Sequence, residues 1–315
     1  MEDSRGYADD DILTFRRRRT QDGTFSKIRQ KLITYWLIAR FPWRFQFALI
    51  GVLYVMVFGR AVYNAPLYNV PLLIAAFVII CLINAGSCAI NDYFDREADA
   101  ISKPHMSIPA GKISPAGALE YAAVTFFIGA ALALYVNLLA FAIVAFAILL
   151  SVLYSPVFKR ASGFLSNALV AFAVSLTALF GEALLLGHIS YLSLSFVPMV
   201  VAGGMTWNAL KDIHTVEGDV KAGYTTLAAT RGMHAAIGAV ALILIFQSIF
   251  AYLPFILGVV GAAFAIVVTF QFVLRVIVIQ SLLRKPDLAN VGKQEKMLGV
   301  IYAFTPVALL AGAFL

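Results

Sequence analysis

Apolar residues along this chain come in runs of about 20, the length that carries a helix across a hydrocarbon layer of ~30 Å. Nine such runs are predicted as membrane-spanning helices, over 45–63, 70–90, 118–135, 137–154, 164–186, 190–210, 235–252, 254–279 and 297–315. Some are separated only by a turn, as at Tyr135-Val136-Asn137 and Tyr252-Leu253-Pro254. Ahead of them, residues 1–24 read as a disordered tail in which Asp9-Asp10-Asp11 precede Arg16 to Arg19, whose basic half leans on anionic lipid. Residues 25–42 read as an amphipathic helix lying at the membrane surface. So polar an opening is not that of a cleavable signal peptide. The expected fold class is all-α, a polytopic membrane bundle over 43–315.

Composition agrees. Hydrophobic residues make up 61% of the 315 and charged ones 13%, too few to cover a soluble protein of this size. The mean hydropathy is +0.87. Lys and Arg number 24 against 17 Asp and Glu, a net charge of +7. That surplus does not point to nucleic acid, because the cations are confined to particular loops. Ten precede the first run, and the others fall after the second, fourth, sixth and eighth, leaving only Arg60 and Arg275 outside the pattern. Cations collect on the cytoplasmic side, so the N-terminus and the loops after even-numbered helices are expected there. Cys81 and Cys88, two turns apart on one predicted helix, are too distant for a disulfide and read as small core residues.

Two of those loops carry acids. The second run ends in Asn91-Asp92-Tyr93-Phe94-Asp95-Arg96-Glu97-Ala98-Asp99, and on a helix Asp92, Asp95 and Asp99 share one face, flanked by Asn91. Three stacked carboxylates repel one another, so something cationic should offset them. The sixth run ends in Lys211-Asp212-Ile213-His214-Thr215-Val216-Glu217-Gly218-Asp219. Asp92, Glu97 and Asp99 recur there as Asp212, Glu217 and Asp219, and Asp95 is matched by Thr215. An acidic face repeated at the same end of two helices is expected to form opposite walls of one pocket, since internal repeats in membrane proteins place shared sites at their interface.

Carboxylate and amide oxygens without Cys or His clusters suit a hard cation such as Mg²⁺, which recruits phosphate oxygens as further ligands. Lys159, Arg160, Lys211 and Lys221 on the same side are candidates to hold phosphate directly. A bundle rich in Phe, Leu, Ala and Val offers room for a long hydrocarbon. Diphosphate at the rim and apolar space behind it suggest an isoprenyl diphosphate. Glu182, an acid deep in apolar sequence, reads equally as a functional group or a hydrogen-bonded packing residue. Acids concentrated at helix ends rather than within spans argue against an ion-coupled transporter.

These residues resemble the UbiA superfamily of intramembrane prenyltransferases. Asn91 to Asp99, followed by Lys103-Pro104-His105-Met106-Ser107-Ile108-Pro109-Ala110-Gly111, is similar to its first aspartate-rich motif. Lys211 to Leu227 is similar to the second, and Leu153 to Arg160 with Phe164 to Val170 to the loop between helices four and five. The resemblance implies nine helices around a central cavity open to the bilayer, with Mg²⁺ and a prenyl diphosphate bound at the cytoplasmic end. Within the superfamily the look is closest to the archaeal digeranylgeranylglyceryl phosphate synthases, which implies transfer of a geranylgeranyl group to geranylgeranylglyceryl phosphate. An aromatic or chlorophyllide-type acceptor, or prenyl-lipid binding without transfer, stays open. The chain departs from the family pattern at Met106, Ser166, Trp207-Asn208 and Thr215.

On that basis Asn91, Asp92, Asp95 and Asp99 are expected to hold one Mg²⁺, and Asp212, Thr215 and Asp219 a second. Lys159, Arg160, Lys211, Arg96 and Lys221 are expected to bind the diphosphate. Lys159, Tyr154 and Asp212 are the expected catalytic residues, with Tyr154 reading equally as an interfacial anchor.

Overall fold

The computed structural model describes residues 29, 33–40, 45–102, 104–158, 163–214, 216, 220 and 225–315. Among them it is helix and turn without a strand. The long helices are α1 (Phe45–Tyr63), α2 (Val70–Ser102), α3 (Pro115–Val136), α4 (Leu138–Leu153), α5 (Gly163–Leu186), α6 (Val197–His214), α7 (Met233–Phe250), α8 (Ala262–Arg284) and α9 (Leu288–Ala303), which continues into α10 (Thr305–Phe314). Eight helical segments among the described residues are long and apolar enough to cross a membrane, α9 and α10 counting as one. The remaining predicted run, 190–210, corresponds to α6, whose last two turns carry Trp207, Asn208, Lys211, Asp212 and His214 and are too polar for that measure.

Local chemistry explains where the helices start and stop. Asn137 is the whole connection between α3 and α4. Its N–H closes α3 on the Ala133 carbonyl, and its side-chain oxygen accepts from Ala140 N at 2.8 Å to cap α4. The same side chain donates to the Ala183 carbonyl of α5 at 2.9 Å, fastening the turn to the bundle. Asp287 caps α9 in the same way, accepting from Asn290 N at 2.8 Å.

Three boundaries differ from the expected runs. The run predicted over 254–279 is a one-turn helix, Leu253–Ile256, then a break with Gly258 at φ 70°, and only then α8. The last helix begins at Leu288, earlier than 297, because Lys293 and Lys296 lie on an exposed face of a helix whose other side buries Val291 and Leu298. Most consequentially, α2 does not end at 90. It runs for 33 residues, about 50 Å, so its last three turns project beyond a ~30 Å apolar layer and carry the first acidic motif on rigid helix.

Packing divides the bundle into two groups. Helices α2 to α5 pack together, α6 to α9 form a second core, and α1 touches α2, α5 and α10. Without a hydrophobic drive inside lipid, such contacts depend on close backbone approach. Gly204 supplies one: a Cβ there would sit 2.7 Å from Ala171 Cβ of α5, closer than atoms tolerate. Residues 33–38 form a short helical stretch that buries Ile38 among Ala89, Ile90, Ala118, Ala122 and Phe126, with Tyr35 stacked on Tyr121 at 4.9 Å. It seats against the charged end of α2 and the start of α3. Arg40, just beyond it, takes φ 55°, a left-handed turn that ends the stretch with its N–H on the Leu37 carbonyl.

Candidate active site

A cavity of about 300 Å³ lies between α2, α4 and α5, with Phe47 of α1, Asn208 of α6 and Arg40 completing its wall. Its lining is graded. Arg40, Ser87, Asn91, Ser151, Tyr154 and Asn208 lie toward the charged helix ends, with Asn84 about two turns inward of Asn91 on α2. Deeper, apart from Asn84 and Thr177, the walls are aliphatic and aromatic, with Ile79, Ile80, Ile143, Leu176 and Phe180 among them. A polar mouth over an apolar chamber accommodates a molecule with a polar head and a hydrocarbon tail.

The first acidic segment continues the mouth. Asn91 lines the cavity and accepts from Ser155 Oγ at 2.6 Å. Asp92 is 3% exposed, and its Oδ1 accepts from Arg40 at 2.5 Å. Arg40 is therefore the cation that the stacked carboxylates require. Burial works against its charge, but the Asp92 carboxylate against it, with Asp99 nearby, holds the guanidinium above its ordinary pKa. Asp95 follows on the same face, half-buried, and Asp99 is buried.

The helix that carries the second segment reaches the same cavity through Asn208. Asp212 stands one turn further on the same side of α6. Asp212 Oδ2 accepts from Asn167 Nδ2 of α5 at 2.6 Å, which fixes the carboxylate's direction. Ser87 and Ser151 share a hydrogen bond of 2.7 Å across the mouth between α2 and α4. His214 is turned outward, hydrogen-bonded to Glu295 at 2.9 Å and to the Leu288 carbonyl.

A magnesium ion fits this donor set. The donors are carboxylate and amide oxygens, and the buried Asp92 Oδ2 has no hydrogen-bond partner among the described residues. No group of three His, Cys, Asp or Glu that could hold a metal by itself occurs among the described residues, and Thr215 and Asp219 lie outside them. Mg²⁺ does not require such a group, since it takes one or two carboxylates and completes its shell with water and substrate phosphate.

The structure thus gathers Asn91, Asp92, Asp95, Asp99 and Asp212 at one end of the bundle and places Tyr154 in the cavity wall. It does not bring Arg96 and Lys211 to that wall. Arg96 folds onto its own helix, donating to the Tyr93 carbonyl at 2.8 Å with its guanidinium over the Tyr93 ring. Lys211 sits over the Trp207 ring at 5.2 Å, and Trp207 in turn faces Tyr302 of α9. Lys159, Arg160, Thr215, Asp219 and Lys221 lie outside the described residues, as do 1–24 and half of 25–42. Both cysteines are free, and Cys88 lines the cavity.

Sequence reasoning missed Arg40, Asn167 and the serine pair. Arg40 was one of ten cations before the first run and read only as a topology signal; the unmet charge of the stacked aspartates was the clue to it. A lone neutral Asn167 carried no such signal. Glu182, left open, is resolved: its carboxylate accepts from the backbone N–H groups of Ser190 and Ser193 and from both their hydroxyls, capping the one-turn helix Tyr191–Leu194.

Comparison with known proteins matches this architecture. A digeranylgeranylglyceryl phosphate synthase of Thermococcus gammatolerans is 32% identical over 83% of this chain and 93% of its own length. One from Methanothermobacter thermautotrophicus is 30% identical over 78% of this chain and 86% of its own. A solved structure of a digeranylgeranylglyceryl phosphate synthase superposes with TM-score 0.76 at 23% identity, covering 90% of this chain and 99% of that one. A UbiA homologue from Archaeoglobus fulgidus, solved with GPP and Mg²⁺ bound, gives TM-score 0.62 at 16% identity over 88% and 99%. The UbiA prenyltransferase family matches residues 48–301, and with its long apolar helices this chain is an integral membrane prenyltransferase belonging to that family.

Proposed function

We propose that the protein transfers a geranylgeranyl group from its diphosphate to geranylgeranylglyceryl phosphate, an ether-lipid precursor, with Mg²⁺ as cofactor and the site open to the cytoplasm. The observation that carries this reading is the cavity, whose polar mouth includes Asn91 beside Asp92 and Asn208 one turn before Asp212, and whose interior is largely apolar. The named relatives at 30–32% identity support the acceptor. The loop cations support the orientation.

Mg²⁺, when bound, supplies charge neutralisation to the departing diphosphate. Asn91, Asp92, Asp95 and Asp99 would hold it on one wall, and Asp212, kept in direction by Asn167, on the other, with Thr215 and Asp219 as further ligands. Arg40 shares its charge between Asp92 and the diphosphate, and Lys159 and Arg160 add to it. Charge that grows as the allylic C–O bond breaks is stabilised more than the bound substrate, which is what accelerates the step. The aliphatic walls exclude water, so the allylic cation meets the acceptor hydroxyl rather than solvent. Tyr154, in the cavity wall, would stabilise the developing cation through its ring.

The test is an acceptor screen on purified protein with Mg²⁺ and labelled geranylgeranyl diphosphate. Product is expected with geranylgeranylglyceryl phosphate, and none after chelation or in Asp95→Ala of unchanged helicity. Turnover of aromatic acids alone would move the acceptor assignment. Full activity in Asp95→Ala would remove the metal assignment.

A further inference from the structure

Arg275 is one of the two cations that fall outside the charged loops, and the reaction site does not use it. It sits on the buried stripe of α8 with Val268, Gln271, Val278 and Leu282 and is 3% exposed. Nine residues, about 14 Å, separate it from Arg284 at the charged end of the helix. Gln271, one turn away on the same stripe, donates to the Ile301 carbonyl at 2.8 Å and to Thr305 Oγ1 at 3.3 Å, so that face of α8 lies against α9 and α10. Arg275 is thus held inside the bundle, deep in the apolar layer and turned away from lipid. The reaction cavity is separate: Arg275, Gln271 and Tyr302 are not part of its lining.

A guanidinium keeps its charge in proteins, and a charge within a membrane needs a partner. Among the described residues Arg275 has none: its Nε and Nη1 are buried and make no hydrogen bond. The titratable groups near enough to act on it there are two tyrosines, Tyr302 and Tyr252, and no carboxylate. The acids on neighbouring helices are engaged elsewhere. Glu295 holds His214, Asp287 caps α9, and Asp212 accepts from Asn167. The polar groups of this core are committed to one another as well. The Tyr302 hydroxyl bonds the Gly203 carbonyl at 3.2 Å and Gln247 Oε1 at 3.3 Å, and Gln247 Nε2 donates to the Met199 carbonyl at 3.3 Å. A buried cation left without a counter-charge is strongly destabilising, so the fold calls for an anion that the chain does not supply.

We infer that Arg275 is the anchor of a buried anion site in the core between α6 and α9, filled by one small monovalent anion of the chloride class. Charge, depth and packing select that occupant. A single cation balances one negative charge, not the two or more of a phosphate monoester or a diphosphate. A lipid headgroup stays at the surface of the layer, about 14 Å from this depth. The core cluster around the stripe, with Val278, Leu282, Leu298 and Ile301 fully buried, is apolar and favours an occupant of very few atoms. Neutralised in this way, α8 packs on α9, and the hydroxyl of Tyr302 ties α9 to α6, the helix that carries Asp212.

The test is thermal unfolding of the full-length protein in detergent, with potassium gluconate exchanged for chloride, bromide or phosphate at constant ionic strength. Chloride and bromide should raise the melting temperature by about 3 °C or more along a saturating curve, as a ligand well above its dissociation constant does. Phosphate and added anionic lipid should not. Arg275→Met, apolar and of similar length, should lose the response, and Arg275→Lys should keep it with a higher half-saturation point. If Arg275→Met does not fold, crystals of the native protein grown in bromide give the second measurement, with an anomalous peak expected beside the guanidinium. A melting temperature indifferent to the anion, a rise that never saturates, the same rise in Arg275→Met, or no bromide beside Arg275 overturns the site. A response confined to phosphate or to anionic lipid overturns the monovalent assignment. None of these measurements reads turnover, so their failure leaves the prenyl-transfer reading standing.

Discussion

Arg40 and Asp92, 52 residues apart in the chain, meet at 2.5 Å, and through that contact the segment before α1 is tied to the first acidic motif. Arg40→Ala strips the buried carboxylate of its counter-charge and should cost about 3 kcal/mol, the low end for such pairs because the guanidinium is partly exposed. Adding Asp92→Asn should recover most of the stability and none of the turnover. Thermal unfolding in detergent together with kcat/KM for the diphosphate checks this, and a double variant no more stable than Arg40→Ala would contradict it.

Asn167 has no reach into the cavity of its own and acts through Asp212. Asn167→Ala is expected to weaken Mg²⁺ dependence about 10- to 100-fold, the usual effect of removing a group that orients a ligand. The melting temperature should change little. A magnesium titration of the initial rate gives the answer, and an unchanged half-saturation point would detach Asn167 from the site.

Glu182 lies at the opposite end of α5, and its four hydrogen bonds hold the connection into α6. Glu182→Ala would leave those donors buried without an acceptor, lowering stability by about 2–4 kcal/mol. The protein that does fold should keep its KM for the diphosphate. A specific rise in KM at unaltered melting temperature would instead place Glu182 in substrate binding.

Gly204 lets α6 lie against Ala171 of α5. Gly204→Val forces the two helices apart, at a cost of about 1–3 kcal/mol or more. Because Asn167 and Asp212 bridge the same pair of helices, kcat should fall along with the melting temperature. Gly238, around which a Cβ meets open space, is the control: Gly238→Val should alter neither by a comparable amount.

The helices were legible because lipid demands long apolar runs, and the acids because charge at a helix end stands out from such runs. Breaks inside apolar sequence were not: nothing in hydrophobicity separates Leu253–Ile256 from α8, and Gly258 with its positive φ is a small signal. The extension of α2 past residue 90 was hidden for the opposite reason, since polar sequence ends a predicted span but not a helix. At the site, the acids announced themselves while their partners did not. Arg40 was masked by nine other cations, and the chamber walls are made of the same Ile, Leu and Phe that face lipid elsewhere, so only the fold separates them.

One rod, α2, carries Ile79 at the chamber's deep end and Asn91 with Asp92 at its mouth. The polar and the apolar lining that α2 gives the chamber are thus two stretches of a single stiff bar. Moving one without the other requires inserting or deleting residues between them, and anything short of a whole turn would swing the aspartates off the cavity.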